Sequence, residues 1–477
     1  MSHQINRRVF LGSTLAGYVG ATCIPSSWAA TPGIQIVSPG AVRSRVRVGL
    51  VFLGKPKAHW PTPTMNMAAE VESYRQYLKS DAAFHDVEFV GDIVATTPQE
   101  LSGVLPALND VDGLLVIHIS MGIRDTLAEL LKLNKPTILF AQPYSGHEWS
   151  GFGRLMQEPE GAMLDCILSS DHTRIAEAIR PFRAIHHMRE ARILDVTTKE
   201  IPADFKAGVT QKFGTEIVRV SREEVMAAYD SIDDSHAKAE ARQLIARATK
   251  VVEPARDEID RSCKLALAFE KLVAEHEATA ITVDCYGSMY RQLPAFPCVG
   301  FTRLNDMGLA GICESDLGAG LTFMLLQSLT GRPGFISDPT IDESSNSIIL
   351  AHCLGSTRMD GPEGHACPFK LRSIMERQEG AVMQVNMDKG QKVTQAELVG
   401  TEKLLYFTGT IIDTPETERG CRTKVNVEVD GSAQTLWHNW TAGLHRVTCY
   451  GDHAENLRRF CRFKSIALVN EAVPVVA

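Results

Sequence analysis

The chain has 477 residues and a formal charge of −8, with 44% hydrophobic and 22% charged residues. That is ordinary globular composition, which excludes a disordered chain, and the acidic surface argues against nucleic acid as a partner. The length suffices for two or three domains with full cores.

The first 29 residues read as a twin-arginine signal peptide. Asn6-Arg7-Arg8-Val9-Phe10-Leu11-Gly12 precedes a mildly apolar stretch to Ile24, and Ser27-Trp28-Ala29 supplies a small-residue cleavage pattern. The apolar run is too short and too rich in Gly and Thr for a membrane span, which needs about 20 apolar residues. The expectation is export to the periplasm or beyond, with no membrane attachment after cleavage. Ten cysteines then remain, from Cys166 to Cys461, without a C-x-x-C pair. No zinc-finger spacing occurs, so a structural zinc site is not expected, and mostly buried free thiols are.

From Arg45 to about Gln142, strand and helix patterns alternate: Val46–Leu53, Met65–Lys79, Val87–Val90, Pro98–Leu108, Gly113–Ile119, Ile123–Leu133 and Thr137–Ala141. This predicts an N-terminal α/β domain over 45–170 with a parallel sheet. Its first loop carries His59 and Trp60 at the carboxyl edge of the sheet, where ligands bind in such folds. A Pro-stiffened surface loop is the other reading. The alternation resumes over 171–345, with strands at Arg192–Val196, Glu216–Val220, Ala280–Tyr286 and Leu309–Cys313 and a long helical stretch from Ser235 to about Ala278, broken near Pro254. After Ser347 the pattern turns to strands: Ile348–Cys353, Ala381–Val385, Gln391–Val399, Lys403–Ile412 and Thr423–Val429. Over 346–477 it predicts a mainly antiparallel β domain, a small barrel, closed by a helix at Asp452–Phe463.

The central region ends with a pair of acids. Glu314 follows the apolar run Leu309–Cys313, Asp338 follows Gly334–Ser337, and an almost wholly apolar helix, Leu317–Leu329, lies between, stopped by Gly331 and Pro333. A crossover of that length joins parallel strands, so both acids are expected at one sheet edge, in strands about 5 Å apart if adjacent. They either cap strand ends in solvent or meet around a cation. No G-x-G-x-x-G, P-loop or G-x-S-x-G motif occurs in a supporting context, which disfavours nucleotide and serine-hydrolase chemistry. The segment from Trp437 to His453 gathers Asn439, Trp440 and three histidines, His438, His445 and His453.

Cys313-Glu314-Ser315-Asp316, the helix end Leu329-Thr330-Gly331, Asp338, and Asn439-Trp440 followed by His445 resemble, in order and spacing, the L-fucose isomerase family. The likeness covers roughly Arg192 to Ala477. It implies that Glu314, Asp338 and His445 hold a divalent metal, usually Mn²⁺, with His438 and His453 as competing positions. The resemblance further implies that Glu314 and Asp338 move protons in aldose–ketose isomerisation through a cis-enediol. Substrate contacts from Asn439, Trp440, His59 and Trp60, and a homo-oligomer in which a neighbour's N-terminal domain closes the site, are implied as well. The chain is shorter than typical members and carries an export signal they lack, so the sugar is left open. The alternatives are a non-catalytic carbohydrate-binding or sensing protein on the same fold, and another metal-assisted polyol reaction such as epimerisation.

Overall fold

A computed structural model describes residues 44–474; the signal segment and its cleavage pattern lie outside the described residues. Among these, no helix is long and apolar enough to cross a membrane.

Two parallel sheets come first. The N-terminal one contains β1 (Val46–Leu53), β2 (Val87–Ala95), β3 (Gly113–His118), β4 (Thr137–Ala141) and β5 (Leu164–Leu168) in the order β2-β1-β3-β4-β5. Its central strands are mostly apolar and buried, with Arg47, His118 and Thr137 near their ends, as a sheet covered by helices on both faces requires. The second sheet contains β6 (Arg192–Val196), β7 (Glu216–Val220), β8 (Ala280–Val283) and β9 (Ala310–Cys313), ordered β9-β8-β6-β7. Helix α1 (Arg180–Glu190) leads into it, with Pro181 in its first turn, where a missing N–H costs nothing.

The C-terminal part is a closed antiparallel barrel. Strands β10 (Phe335–Asp342), β11 (Ser347–His352), β12 (Lys392–Val399), β13 (Lys403–Asp413), β14 (Thr423–Val429) and β15 (Arg446–Tyr450) follow one another around it as β12-β15-β10-β11-β14-β13. Pairing of β12 with β13 closes the ring, and β16 (Ala467–Asn470) adds a parallel edge to β13. Alternation sorts the side chains into two cores. Phe335, Leu350, Val393, Phe407, Val425, Val427 and Tyr450 pack together, while Ile336, Ala396, Leu398, Val447 and Cys449 pack outward on helix α2 (Leu317–Thr330).

One expectation fails here. The strand carrying Asp338 is not a parallel neighbour of β9; it is β10, antiparallel to β11 and β15 inside the barrel. The crossover argument counted residues correctly but assumed one sheet. Helix α2 is apolar all round because it is buried between two layers, the second sheet on one side and the barrel wall on the other, and so it can hand the chain from one to the other. Burying each of its leucines stabilises that seam by about 2 kcal/mol. Helix α3 (Ala454–Lys464) fastens the barrel to the N-terminal domain. Arg459 pairs with Asp165 at 2.7 Å, Arg458 with the same carboxylate at 2.9 Å, and the Phe463 and Phe182 rings lie 5.9 Å apart.

Candidate active site

The site grows from the carboxyl end of β9. Immediately after Cys313 the backbone of Glu314 and Ser315 is left-handed, with φ of 63° and 53°. Neither residue is glycine, so each position costs about 1–3 kcal/mol and persists only where the surroundings enforce it. Ser315 Oγ donates to Asp195 Oδ1 on β6 at 2.6 Å, which ties the turn to the sheet. Asp316 then caps α2: its Oδ1 accepts from the Ala319 N–H at 2.9 Å. Its other oxygen, Oδ2, lies 2.9 Å from His445 Nδ1.

The barrel supplies the opposite wall. The β10–β15 register pairs Phe335 with Thr448, Ile336 with Val447 and Ser337 with Arg446, so one further step sets Asp338 opposite His445 on the same face. On its other side β10 pairs Asp338 with Ala351, and His352 ends that strand. The result is that His445 Nε2 lies 3.4 Å from Asp338 Oδ1 and His352 Nε2 lies 3.7 Å from Glu314 Oε1. The two imidazole centroids are 5.3 Å apart and nearly perpendicular. Ligand atoms of Glu314, His352 and His445 all fall within 4.8 Å of one another.

Charge in this seam is poised rather than neutralised. Burial, then the neighbouring carboxylates Asp338, Asp316 and Asp284, outweigh His445 and raise Glu314 above its usual value. Burial, with Glu376, does the same to Asp338 against the pull of His445. For His445 burial acts downward, but the Asp316 hydrogen bond and the charges of Asp316, Asp338 and Glu314 win and raise it. His352, enclosed and beside a second imidazole, is pushed down to about 3 and is therefore neutral. Asp338 Oδ1 and His352 Nδ1 are buried without a hydrogen-bond partner. Unpartnered buried acceptors are expensive unless something else binds there. One carboxylate and two imidazoles whose ligand atoms lie within 4.8 Å of one another, with the far nitrogen of His445 on the Asp316 carboxylate, fit a divalent cation.

The remaining sequence candidates are placed as follows. Asn439 Nδ2 donates to the Glu471 carbonyl at 2.9 Å and Trp440 Nε1 to the Leu444 carbonyl at 3.2 Å. The Arg446 guanidinium stacks 4.2 Å from the Trp440 ring centroid and pairs with Glu471 at 3.0 Å. These contacts brace the loop that delivers His445. His438 packs on Trp437, with ring centroids 4.0 Å apart, and His453 Nε2 sits 2.9 Å from the Tyr450 carbonyl, so neither joins the cluster. His59 and Trp60 occupy the carboxyl edge of the N-terminal sheet, where Trp60 stacks on His147 at 3.9 Å. Sequence reasoning missed His352 and the role of Asp316. Asp316 was visible as an N-cap residue; His352 had a weaker signal, a histidine at the end of a strand that the antiparallel pairing sets beside Asp338.

No family model matches the chain. Two curated proteins are distantly similar. Sulfoquinovose isomerase of Clostridium sp. (strain MSTE9) is 25% identical over 265 residues, 51% of this chain and 56% of that protein. Sulfoquinovose isomerase of Alkalicoccus urumqiensis is 22% identical over 175 residues, 36% of this chain and 39% of that protein. The matched stretches thus span 56% of one relative and 39% of the other, and what the chain is similar to, over those stretches, is a sugar isomerase.

Proposed function

We propose that this protein is a metal-dependent aldose–ketose isomerase acting on a free monosaccharide. The observation that carries the reading is the convergence of Glu314 from the second sheet with Asp338, His352 and His445 from the barrel, His445 being oriented by Asp316. The distant likeness to two sulfoquinovose isomerases supports it.

In this reading Glu314, His352 and His445 hold a divalent ion, with Asp338 Oδ1 as the adjoining oxygen. The mixture of carboxylate oxygen and imidazole nitrogen suits Mn²⁺. When bound, such an ion polarises the sugar carbonyl and acidifies the neighbouring C–H. The protein's own part is proton movement. Glu314 and Asp338, both with raised proton affinity, are placed to take the proton from the carbon beside the carbonyl and to return one at the adjacent carbon, through a cis-enediol. His352 stays uncharged and keeps a lone pair available. Trp440 and Asn439 keep the His445 loop in register, while His59 and Trp60 present an aromatic and polar surface suited to covering the site of a neighbouring copy in a homo-oligomer. The twin-arginine motif supports a periplasmic or otherwise exported location for this activity.

The test uses purified mature protein with Mn²⁺ and a panel of aldoses that includes sulfoquinovose, following ketose formation and deuterium uptake from solvent. Turnover with exchange is expected, lost in Glu314→Gln and in Asp338→Asn. Sugar binding without exchange would favour a sensing protein, and turnover that survives Glu314→Gln would remove that residue from the mechanism.

A further inference from the structure

A second polar site lies at the other end of α2. A cavity of about 370 Å³ opens between the N-terminal domain and the C-terminal turn of this helix, lined by Arg180, Arg183 and His187 with Gln327, Thr330 and Gly331. Helix α2 has 14 residues, and at 1.5 Å per residue its two ends stand about 21 Å apart. The cavity is therefore separate from the Glu314 cluster.

Its charges do not balance. Arg183 is satisfied by both oxygens of Asp86, at 2.7 and 2.8 Å. Arg180, half-buried, makes no hydrogen bond or ion pair among the described residues. Glu177, the acid nearest to it in sequence, is engaged by Arg174 at 3.3 Å. Burial holds the Arg180 guanidinium below its usual value, and Arg183 and Arg332 act against its charge where Glu177 supports it. Both ring nitrogens of His187 and the side-chain oxygen of Gln327 are buried without a partner. Burial, with His186 beside it, pushes His187 down to about 4, so its ring is neutral and offers one N–H and one lone pair. A half-buried guanidinium whose supporting acid, Glu177, makes no ion pair with it leaves room for an anion, and its planar fork suits a tetrahedral oxyanion. The orphaned Gln327 oxygen adds a condition: the anion must also donate. Hydrogen phosphate carries an O–H, whereas sulfate carries none.

We infer that the cavity lined by Arg180, His187 and Gln327 is a binding site for inorganic hydrogen phosphate. The guanidinium of Arg180 takes two phosphate oxygens, the His187 N–H a third, and the phosphate O–H donates to Gln327. Occupancy joins α1 to the last turn of α2 and so braces the N-terminal domain against the second.

The experiment is calorimetric titration of the full mature chain with sodium phosphate, sodium sulfate and methyl phosphate, for wild type, Arg180→Met, Arg180→Lys and Glu314→Gln. One phosphate per chain is expected, with sulfate weaker by about tenfold or more, as for a site that needs a donated proton. Arg180→Met should lose binding by a similar factor while its melting temperature without phosphate is kept, and Arg180→Lys should retain part of it. Glu314→Gln should bind as wild type, which separates this site from the candidate active site. Methyl phosphate, a dianion without an O–H above about pH 7, should bind as weakly as sulfate, and binding as tight as that of the free ion would refute the donated proton. Absence of phosphate binding, equal affinity for sulfate, or unchanged binding in a folded Arg180→Met variant would each overturn the assignment.

Discussion

Asp316 performs two tasks with its two oxygens, and Asp316→Asn separates them. One oxygen caps α2 through the Ala319 N–H and the other receives the His445 Nδ1–H. Asparagine caps a helix about as well as aspartate. With its carbonyl oxygen kept on Ala319, however, the new amide turns an N–H₂ toward His445 Nδ1 and presents donor to donor. The imidazole is relieved by moving its proton to Nε2, the nitrogen that faces Glu314 and Asp338, and the metal-facing lone pair is lost. Losing an orienting carboxylate of this kind typically lowers metal affinity about 10–100-fold, equivalent to about 1.4–2.7 kcal/mol. The melting temperature should move little, since the cap survives. Asp316→Ala removes both contacts, so it should show the same fall in affinity plus about 1 kcal/mol of lost cap, or about 1 °C in a chain of this size. Titration with Mn²⁺ and thermal melting of the metal-free proteins measure the two terms separately. If Asp316→Asn bound Mn²⁺ as tightly as wild type, the oriented imidazole would be dispensable and the reasoning wrong.

Arg303 is buried between Glu240, at 2.6 Å, and Glu270, so Arg303→Met should leave two enclosed carboxylates and destabilise by about 3–5 kcal/mol; a urea titration that shows less than about 1 kcal/mol would contradict this. Asp112 is buried against His186 at 2.9 Å and Arg189 at 2.6 Å. Burial opposes both charges, yet hydrogen bonding and the facing charge lower Asp112 below 3.8 and raise His186 above 6.5. The Asp112 contribution is complete above 3.8 and fades as pH falls through its lower folded value; that of His186 is complete below 6.5 and fades as pH rises through its higher folded value. Asp112→Asn should therefore cost most stability between pH 3.8 and 6.5, and a loss in melting temperature equal at pH 5 and pH 9 would speak against the pair. A Cβ at Gly311 would lie 2.4 Å from the Phe301 Cα, so Gly311→Ala should push β9 off its helix, cost about 1–3 kcal/mol and lower turnover by shifting Glu314; unchanged melting and kinetics would show that the strand gives way freely.

Much of the fold was legible because hydrophobic periodicity reports local environment. Val46–Leu53, Gly113–His118 and Thr137–Ala141 are predominantly apolar runs and became central parallel strands, and the switch to short strands after Ser347 marked the barrel. What periodicity does not report is the partner. The run ending at Asp338 has the same pattern whether its neighbour is β9 or β15, so the parallel pairing was a choice the sequence could not make. Arg446–Tyr450 hid inside a polar, His-rich segment, and β5 was passed over because it is short and flanked by charge. At the site, Glu314, Asp338 and His445 were readable through a family resemblance, and the fold brings them together. His352 depended on the β10–β11 register, which no single-strand pattern encodes.

Because α2 hands the chain from the second sheet to the barrel, the candidate ion-binding groups are divided between two separately wound pieces of polypeptide. Glu314 and Asp316 belong to one, and Asp338, His352 and His445 to the other. Neither piece expressed alone would hold the complete cluster. Two complementary fragments cut within α2 would have to reassemble the helix before any ion was retained, so metal retention would serve as a direct gauge of whether the halves had docked.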